Sequence, residues 1–112
     1  MATSHIRKTL ATIENNILEK IKLPDCKPFV SIIMPTYNRA KIISNAIQSI
    51  VDQTYNNWEL LIADDGSDDN TEGIVDSFND SRIKYIKLQR SGAASARNRA
   101  LKISRGRYIA YL

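Results

Sequence analysis

An apolar run from Trp58 to Ala63 is followed at once by a cluster of carboxylates, and this junction constrains the chain more than any other feature. A short apolar run that ends in turn residues is typical of a buried strand. Asp64 and Asp65 are adjacent, so in extended backbone one can face a ligand while the other braces the loop. The alternative is an acidic turn that caps the next helix, because residues 66–71 are also ordinary turn and N-cap residues.

A second segment of the same design lies upstream. Val30 to Met34 reads as a buried strand, and the polar stretch from Pro35 to Arg39 follows it before a helical pattern begins. Parallel strands joined by helical crossovers present their carboxyl ends at one edge of the sheet. Both loops are therefore expected to face the same crevice, where function is sought.

The remaining pattern predicts an α/β protein with the order βαβαβαβ and a mainly parallel sheet. Gly106 is expected to end the last helix. A further helix is predicted from about Ser4 to Lys22, separated from the first strand by a linker that contains two prolines. The predicted strands are 30–34, 58–63, 82–88 and 107–112, and the predicted helices between them are 39–53, 70–78 and 92–101.

The composition of the chain limits the class of protein to which it can belong. The chain has 112 residues, of which 43% are hydrophobic and 25% charged, which fits one soluble domain. No run reaches the roughly 18 apolar residues of a membrane span and the start does not resemble a signal peptide, so a cytoplasmic location is expected. Cys26 and His5 are each the sole residue of their type and are interpreted as structural or incidental.

The net charge of +4 raises the question of nucleic-acid binding, because basic residues are dense from 82 to 107. Lys84 and Lys87 alternate with apolar residues, as on a strand with one solvated face. This pattern disfavours nucleic acid and favours a local anion site for a diphosphate or an anionic surface.

Six segments occur in order between residue 28 and the last residue: Val30 to Arg39, Gln53 to Tyr55, Trp58 to Ser67, Asp69 to Thr71, Ala96 to Asn98 and Gly106 to Ile109. Through these segments the sequence closely resembles the family 2 inverting glycosyltransferases of the GT-A fold. The resemblance implies a Rossmann-like nucleotide-binding half with strand order 3-2-1-4, a nucleoside diphosphate sugar donor such as a UDP-sugar, and a divalent Mg or Mn ion in the full-length parent. It implies a truncated GT-A domain at 28–112, which the predicted N-terminal helix and linker precede at 1–27.

The resemblance also assigns roles to the two loops. Pro35, Thr36 and Tyr37 would line the base, with the Tyr37 ring stacking on uracil or its equivalent. Asp65 would accept the imino N–H of the base, because an ionised carboxylate only accepts hydrogen bonds. Asp64 would brace the loop.

Arg39 and Arg97 are the candidates for contact with a base carbonyl or the diphosphate, where a guanidinium forms charge-assisted hydrogen bonds. The alternative role for these two arginines is a surface ion pair with Asp68 or Asp69. Asn70 and Thr71 are interpreted as helix-start residues, Tyr55 and Trp58 as packing residues, and Gly92 either lets the backbone approach the nucleotide or begins a helix.

The acidic metal-binding motif, the acceptor half and the catalytic base of this family are expected beyond Leu112. The chain is therefore expected to be the donor-nucleotide-binding part of a transferase, inactive alone. A non-catalytic nucleotide-binding or assembly module is the alternative, and an aspartate-based phosphotransfer domain is disfavoured because the acidic pair follows the second strand. Expected partners are a nucleotide sugar and a second copy of the chain, through the fourth strand edge or the N-terminal helix, with at most a peripheral position at the inner face of the membrane.

Overall fold

The computed structural model describes residues 28–112, which form four strands and three helices. The predicted N-terminal helix and its linker lie outside the described residues. None of the helices within 28–112 is long and apolar enough to span a membrane. The elements are β1 (Val30–Thr36), α1 (Ala40–Val51), β2 (Trp58–Asp64), α2 (Thr71–Asp76), β3 (Ile83–Lys87), α3 (Ala93–Ile103) and β4 (Tyr108–Tyr111).

The strands form one parallel sheet in the order β3-β2-β1-β4, which confirms the predicted fold. The register pairs Val30 of β1 with Trp58 of β2 and with Tyr108 of β4. Strands β2 and β3 are added on one side of β1 and β4 on the other, so the third crossover lies on the other face of the sheet from the first two. The predicted element bounds differ from the observed ones by one or two residues at most ends, the usual variation where helices and strands fray.

The two faces of the sheet carry different kinds of helix. On one face α1 buries Ile43, Ile47 and Ile50 at successive turns, and full burial of each such side chain stabilises the fold by about 1.5 to 3 kcal/mol. On the other face α3 buries only Ala96 and Ala100, whose small side chains let the helix lie close to the sheet. The apolar residues of both faces thus enclose β2, which is buried along its whole length.

The role predicted for Gly106 is wrong. Helix α3 continues to Ile103 and ends before Ser104, two residues ahead of the glycine. Gly106 instead lies against β1, where a Cβ atom would come within 2.6 Å of the Ser31 backbone nitrogen. The absence of a side chain is therefore required by the close approach of two backbones.

A buried carboxylate joins three strands at the amino-terminal edge of the sheet. Glu59, 3% exposed, accepts hydrogen bonds from Ser31 Oγ at 2.6 Å, from the Arg105 amide at 2.6 Å and from Lys84 Nζ at 3.2 Å. Burial alone would raise the pKa of Glu59, but these three donors together outweigh it and hold the pKa below its usual value of 4.5. Glu59 therefore stays ionised and fastens β1, β3 and the segment that leads into β4 to β2.

Replacing Glu59 by Gln is expected to destabilise the chain by about 1 to 3 kcal/mol, because the amide group turns a donor toward other donors in a buried position. Urea unfolding of the 112-residue chain measures this free energy. Asp76→Asn, the same chemical change on an exposed residue, should stay within about 0.5 kcal/mol of the wild type.

The pH dependence supplies a second readout of the same variant. Because the pKa of Glu59 is lowered on folding, its stabilisation is complete above the unfolded value and is lost as pH falls through the folded value. The stability difference between wild type and Glu59→Gln should therefore shrink below about pH 4.5. A constant difference down to pH 2 would contradict the ionised state assigned to Glu59.

Candidate functional site

A pocket of about 240 Å³ opens at the carboxyl-terminal edge of the sheet, beside β1, where the order of strand addition switches from one side to the other. Ligands bind preferentially at this place in open α/β sheets. The pocket is built from three strand ends, because the loops after β1, β2 and β3 all reach it. Its lining residues are Pro35, Thr36, Tyr37, Arg39, Asp65, Arg90 and Ala93.

The loops after β1 and β2 are fastened to each other by side chain to backbone hydrogen bonds. Asn38 adopts the left-handed conformation at φ 51°, which Asn tolerates better than most residues. The backbone amide of Asn38 donates to Ser67 Oγ at 2.8 Å. The side-chain Oδ1 of Asn38 accepts from the backbone amide of Asp68 at 2.8 Å. The predicted convergence of the two loops is thus observed, and it presents Tyr37 at the pocket.

Asp64 turns to the face of the sheet that carries α1, as the alternation along β2 requires. The residue is fully buried; its Oδ1 accepts from the Ser67 amide at 2.8 Å and its Oδ2 accepts from the Tyr85 hydroxyl. Burial, together with this hydrogen bond, raises the pKa of Tyr85 well above its usual value of 10, so the hydroxyl remains a donor. Asp64 does not line the pocket, and the bracing role predicted for it stays a prediction.

Asp65 points the other way and forms the floor of the pocket. Its carboxylate is 2% exposed and accepts from the Ser91 amide at 2.8 Å, the Gly92 amide at 2.9 Å and Arg90 Nη1 at 2.5 Å. The Ser91 amide, followed by the Gly92 amide and Arg90, holds the pKa of Asp65 below its usual value of 3.8 against the effect of burial. Asp65 is therefore an ionised acceptor, preorganised by backbone amides at the start of α3.

Arg90 is the pocket residue that the sequence interpretation missed. Its guanidinium carbon lies 3.7 Å from the centroid of the Tyr37 ring, and the same group pairs with Asp65. The carboxyl end of the third parallel strand lies at the same edge of the sheet as the first two, and this rule points to residues 89–92.

The other predicted basic residues are placed differently. Arg39 lines the pocket, whereas Arg97 lies exposed on α3 and does not line it, so its assignment stays a prediction. Within residues 28–112 neither arginine forms an ion pair. Asp69 instead accepts from the Ala40 amide at 3.0 Å and from Thr71, and so serves the starts of two helices.

Two other kinds of site find no support in the described part of the chain. Asp64 is inaccessible and hydrogen bonded through both oxygens, which leaves no free nucleophile for the phosphotransfer alternative. Among residues 28–112 no three His, Cys, Asp or Glu side chains come together to hold a metal ion.

Comparison with known proteins agrees with this geometry. The profile of glycosyl transferase family 2 matches residues 31–112, so the chain belongs to that family. A UDP-Glc:alpha-D-GlcNAc-diphosphoundecaprenol beta-1,3-glucosyltransferase of Escherichia coli, WfgD, is 56% identical over 84 residues, which are 74% of this chain and 33% of the relative. The putative teichuronic acid biosynthesis glycosyltransferase TuaG of Bacillus subtilis is 44% identical over 89 residues, 77% of this chain and 35% of the relative. The chain thus spans about a third of the length of these curated relatives.

Solved structures share the fold. Staphylococcus aureus TarS, crystallised as residues 1–349 in complex with UDP-GlcNAc, superposes with a TM-score of 0.72 at 31% identity, over 75% of this chain and 26% of that one. The mannosyltransferase PcManGT of Pyrobaculum calidifontis, in complex with GDP-Man and Mn²⁺, gives a TM-score of 0.61 at 27% identity, over 90% of this chain and 32% of that one. The predicted GT-A class is confirmed.

Removal of the Tyr85 hydroxyl tests the brace beneath the site. Tyr85→Phe leaves one oxygen of the buried Asp64 carboxylate without its donor, which should lower the free energy of unfolding by about 1 to 3 kcal/mol in urea. Tyr111→Phe removes a hydroxyl from a side chain that is 47% exposed and should change stability by less than about 0.5 kcal/mol. Equal effects of the two variants would show that the hydroxyl does not brace Asp64.

Proposed function

We propose that residues 28–112 bind the donor nucleotide of a glycosyltransferase that passes a sugar from a nucleoside diphosphate sugar to an acceptor hydroxyl with inversion. The observation that carries the proposal is the convergence of the Tyr37 ring and the Asp65 carboxylate in one pocket. A planar base with an N–H group needs an aromatic surface for its face and an acceptor for its edge. The pocket supplies both.

A uridine nucleotide is the proposed donor species. Uracil offers one N–H between two carbonyl oxygens, which fits a single carboxylate flanked by cationic donors. Asp65 would take the N–H, Pro35 and Thr36 would border the base, and Arg39 would lie within reach of a carbonyl or of the diphosphate. The TarS structures with UDP-GlcNAc and UDP support this choice, as does the UDP-Glc in the name of WfgD.

The role of a metal belongs to the full-length protein. Family 2 transferases usually carry a divalent ion on the diphosphate, and the Mn²⁺ complex of PcManGT supports Mg or Mn for the parent of this chain. When bound, such an ion neutralises charge on the leaving diphosphate. The residues proposed to bind the base are those that line the pocket, and no cluster of metal ligands is found among residues 28–112.

The names of two relatives bear on the acceptor of the full-length protein. WfgD is named for a diphosphoundecaprenol acceptor, which is a lipid, and TuaG for teichuronic acid biosynthesis. Residues 89–112 of this chain carry six Lys and Arg side chains and no carboxylate side chain, a balance that suits an anionic surface. We therefore propose a peripheral position at the inner face of the membrane. Association of two copies through the edge of β4 or through the N-terminal segment is retained as part of the proposal.

Asp65→Asn tests the nucleotide site. The 112-residue chain should bind UDP in titration calorimetry, and the variant should bind roughly 10- to 100-fold more weakly, because the base N–H loses a charged acceptor. Asp68→Asn, an exposed carboxylate on the same loop, is the matched control and should bind as the wild type does. Thermal melting of both variants checks that the fold is kept. Unchanged affinity in a folded Asp65→Asn chain would remove Asp65 from the site.

A further inference from the structure

The two contacts that a base would make in the pocket are both taken by one side chain. The guanidinium of Arg90 lies over the Tyr37 ring at 3.7 Å from its centroid, and its Nη1 donates to Asp65 Oδ2. A guanidinium is a flat group with N–H donors on its edge, so it presents the same kind of surface as a nucleobase. Its position thus coincides with the position proposed for the base.

We propose that Arg90 is an internal competitor of the nucleobase, so that the free chain holds its donor site closed and the nucleotide enters only when Arg90 leaves. This inference rests on the proposed function, since it needs the base to use Tyr37 and Asp65.

Arg90 is also the donor to Asp65 that can leave at low cost. The other two donors, the Ser91 and Gly92 amides, belong to the backbone that begins α3 and move only with it. The Arg90 side chain is 59% exposed, so its charge regains water when it swings away. Asp65 is buried, but the base N–H would take the place that Arg90 leaves on its carboxylate, so the exchange of guanidinium for base leaves no acceptor unpaired.

The backbone around Arg90 is fixed by close packing and a hydrogen bond, whereas its side chain is more than half exposed. Gly66, at φ 86°, faces the Arg90 backbone nitrogen so closely that a Cβ atom would lie 3.1 Å from it. The Leu88 amide, two residues earlier, donates to the Asp64 carbonyl at 2.8 Å. The Arg90 Cα atom is therefore fixed beside the pocket. A change of side-chain rotamer is sufficient to open the site.

The size of the effect follows from how often Arg90 occupies the site. The apparent dissociation constant rises as the fraction of open sites falls, so occupation for nine-tenths of the time weakens binding about tenfold. Arg90→Ala should then bind nucleotide several-fold to about tenfold more tightly than the wild type. A residue that contacts the bound nucleotide would give the opposite sign.

Titration calorimetry with uridine and with UDP tests the inference on the wild type, Arg90→Ala and Arg99→Ala. Arg99→Ala removes an equal charge from an exposed position of α3 that does not line the pocket, so it controls for the general effect of charge. Tighter binding of both ligands by Arg90→Ala alone supports the competitor. Equal or weaker binding by Arg90→Ala, with a wild type that binds, overturns it and leaves the proposed function intact. Failure of every chain to bind either ligand overturns both.

A second measurement uses the wild type only. The Tyr37 ring should shift the Arg90 δ-proton resonances upfield in the free chain, and saturation with UDP should return them toward the values of a solvated arginine. An upfield shift that persists at saturation would show that Arg90 stays on Tyr37 and would overturn the inference.

Discussion

Every residue of β2 is buried, so each carboxylate on this strand must find its hydrogen bonds inside the protein. Glu59 finds them at one end and Asp64 at the other, and Asp65, directly after the strand, is buried as well. An unsatisfied carboxylate in these positions would be costly, so the neighbouring chain segments are arranged around them. The positions of β1, β3, β4 and the loop before α3 depend on this requirement.

The buried carboxylates at the two edges of the sheet are hydrogen bonded in different ways. At the amino-terminal edge the Glu59 carboxylate accepts hydrogen bonds from Ser31, Lys84 and Arg105, and these bonds hold the neighbouring segments to β2. At the carboxyl-terminal edge Asp65 is held by two backbone amides and by one exposed side chain that can leave. A carboxylate that is fixed in place and can release one partner is suited to bind a ligand, which is why we propose the nucleotide site at this edge.

The alternation of apolar runs and helical repeats was sufficient to predict the strand order, because connection rules leave few topologies for βαβαβαβ. The same rules placed Pro35 to Tyr37 and Asp65 in one crevice. Arg90 was missed because Gln89-Arg90-Ser91 contains no carboxylate and resembles an ordinary basic surface. Its conformation over Tyr37 depends on the close packing of Gly66, which no local pattern encodes. Glu59 stood inside an apolar run, but its partners are 25 to 46 residues away and become visible only with the strand register.

We propose that the carboxyl-terminal edge of this sheet binds the nucleobase of a sugar donor. The most direct measurement is an NMR titration of the ¹⁵N-labelled chain with UDP, followed through backbone amide shifts. The largest changes are predicted at Tyr37, Asp65, Ser91 and Gly92, whose amides lie in or beside the pocket. Changes concentrated at the opposite edge, around Asn57 and Arg105, or no saturable change at all, would contradict the account.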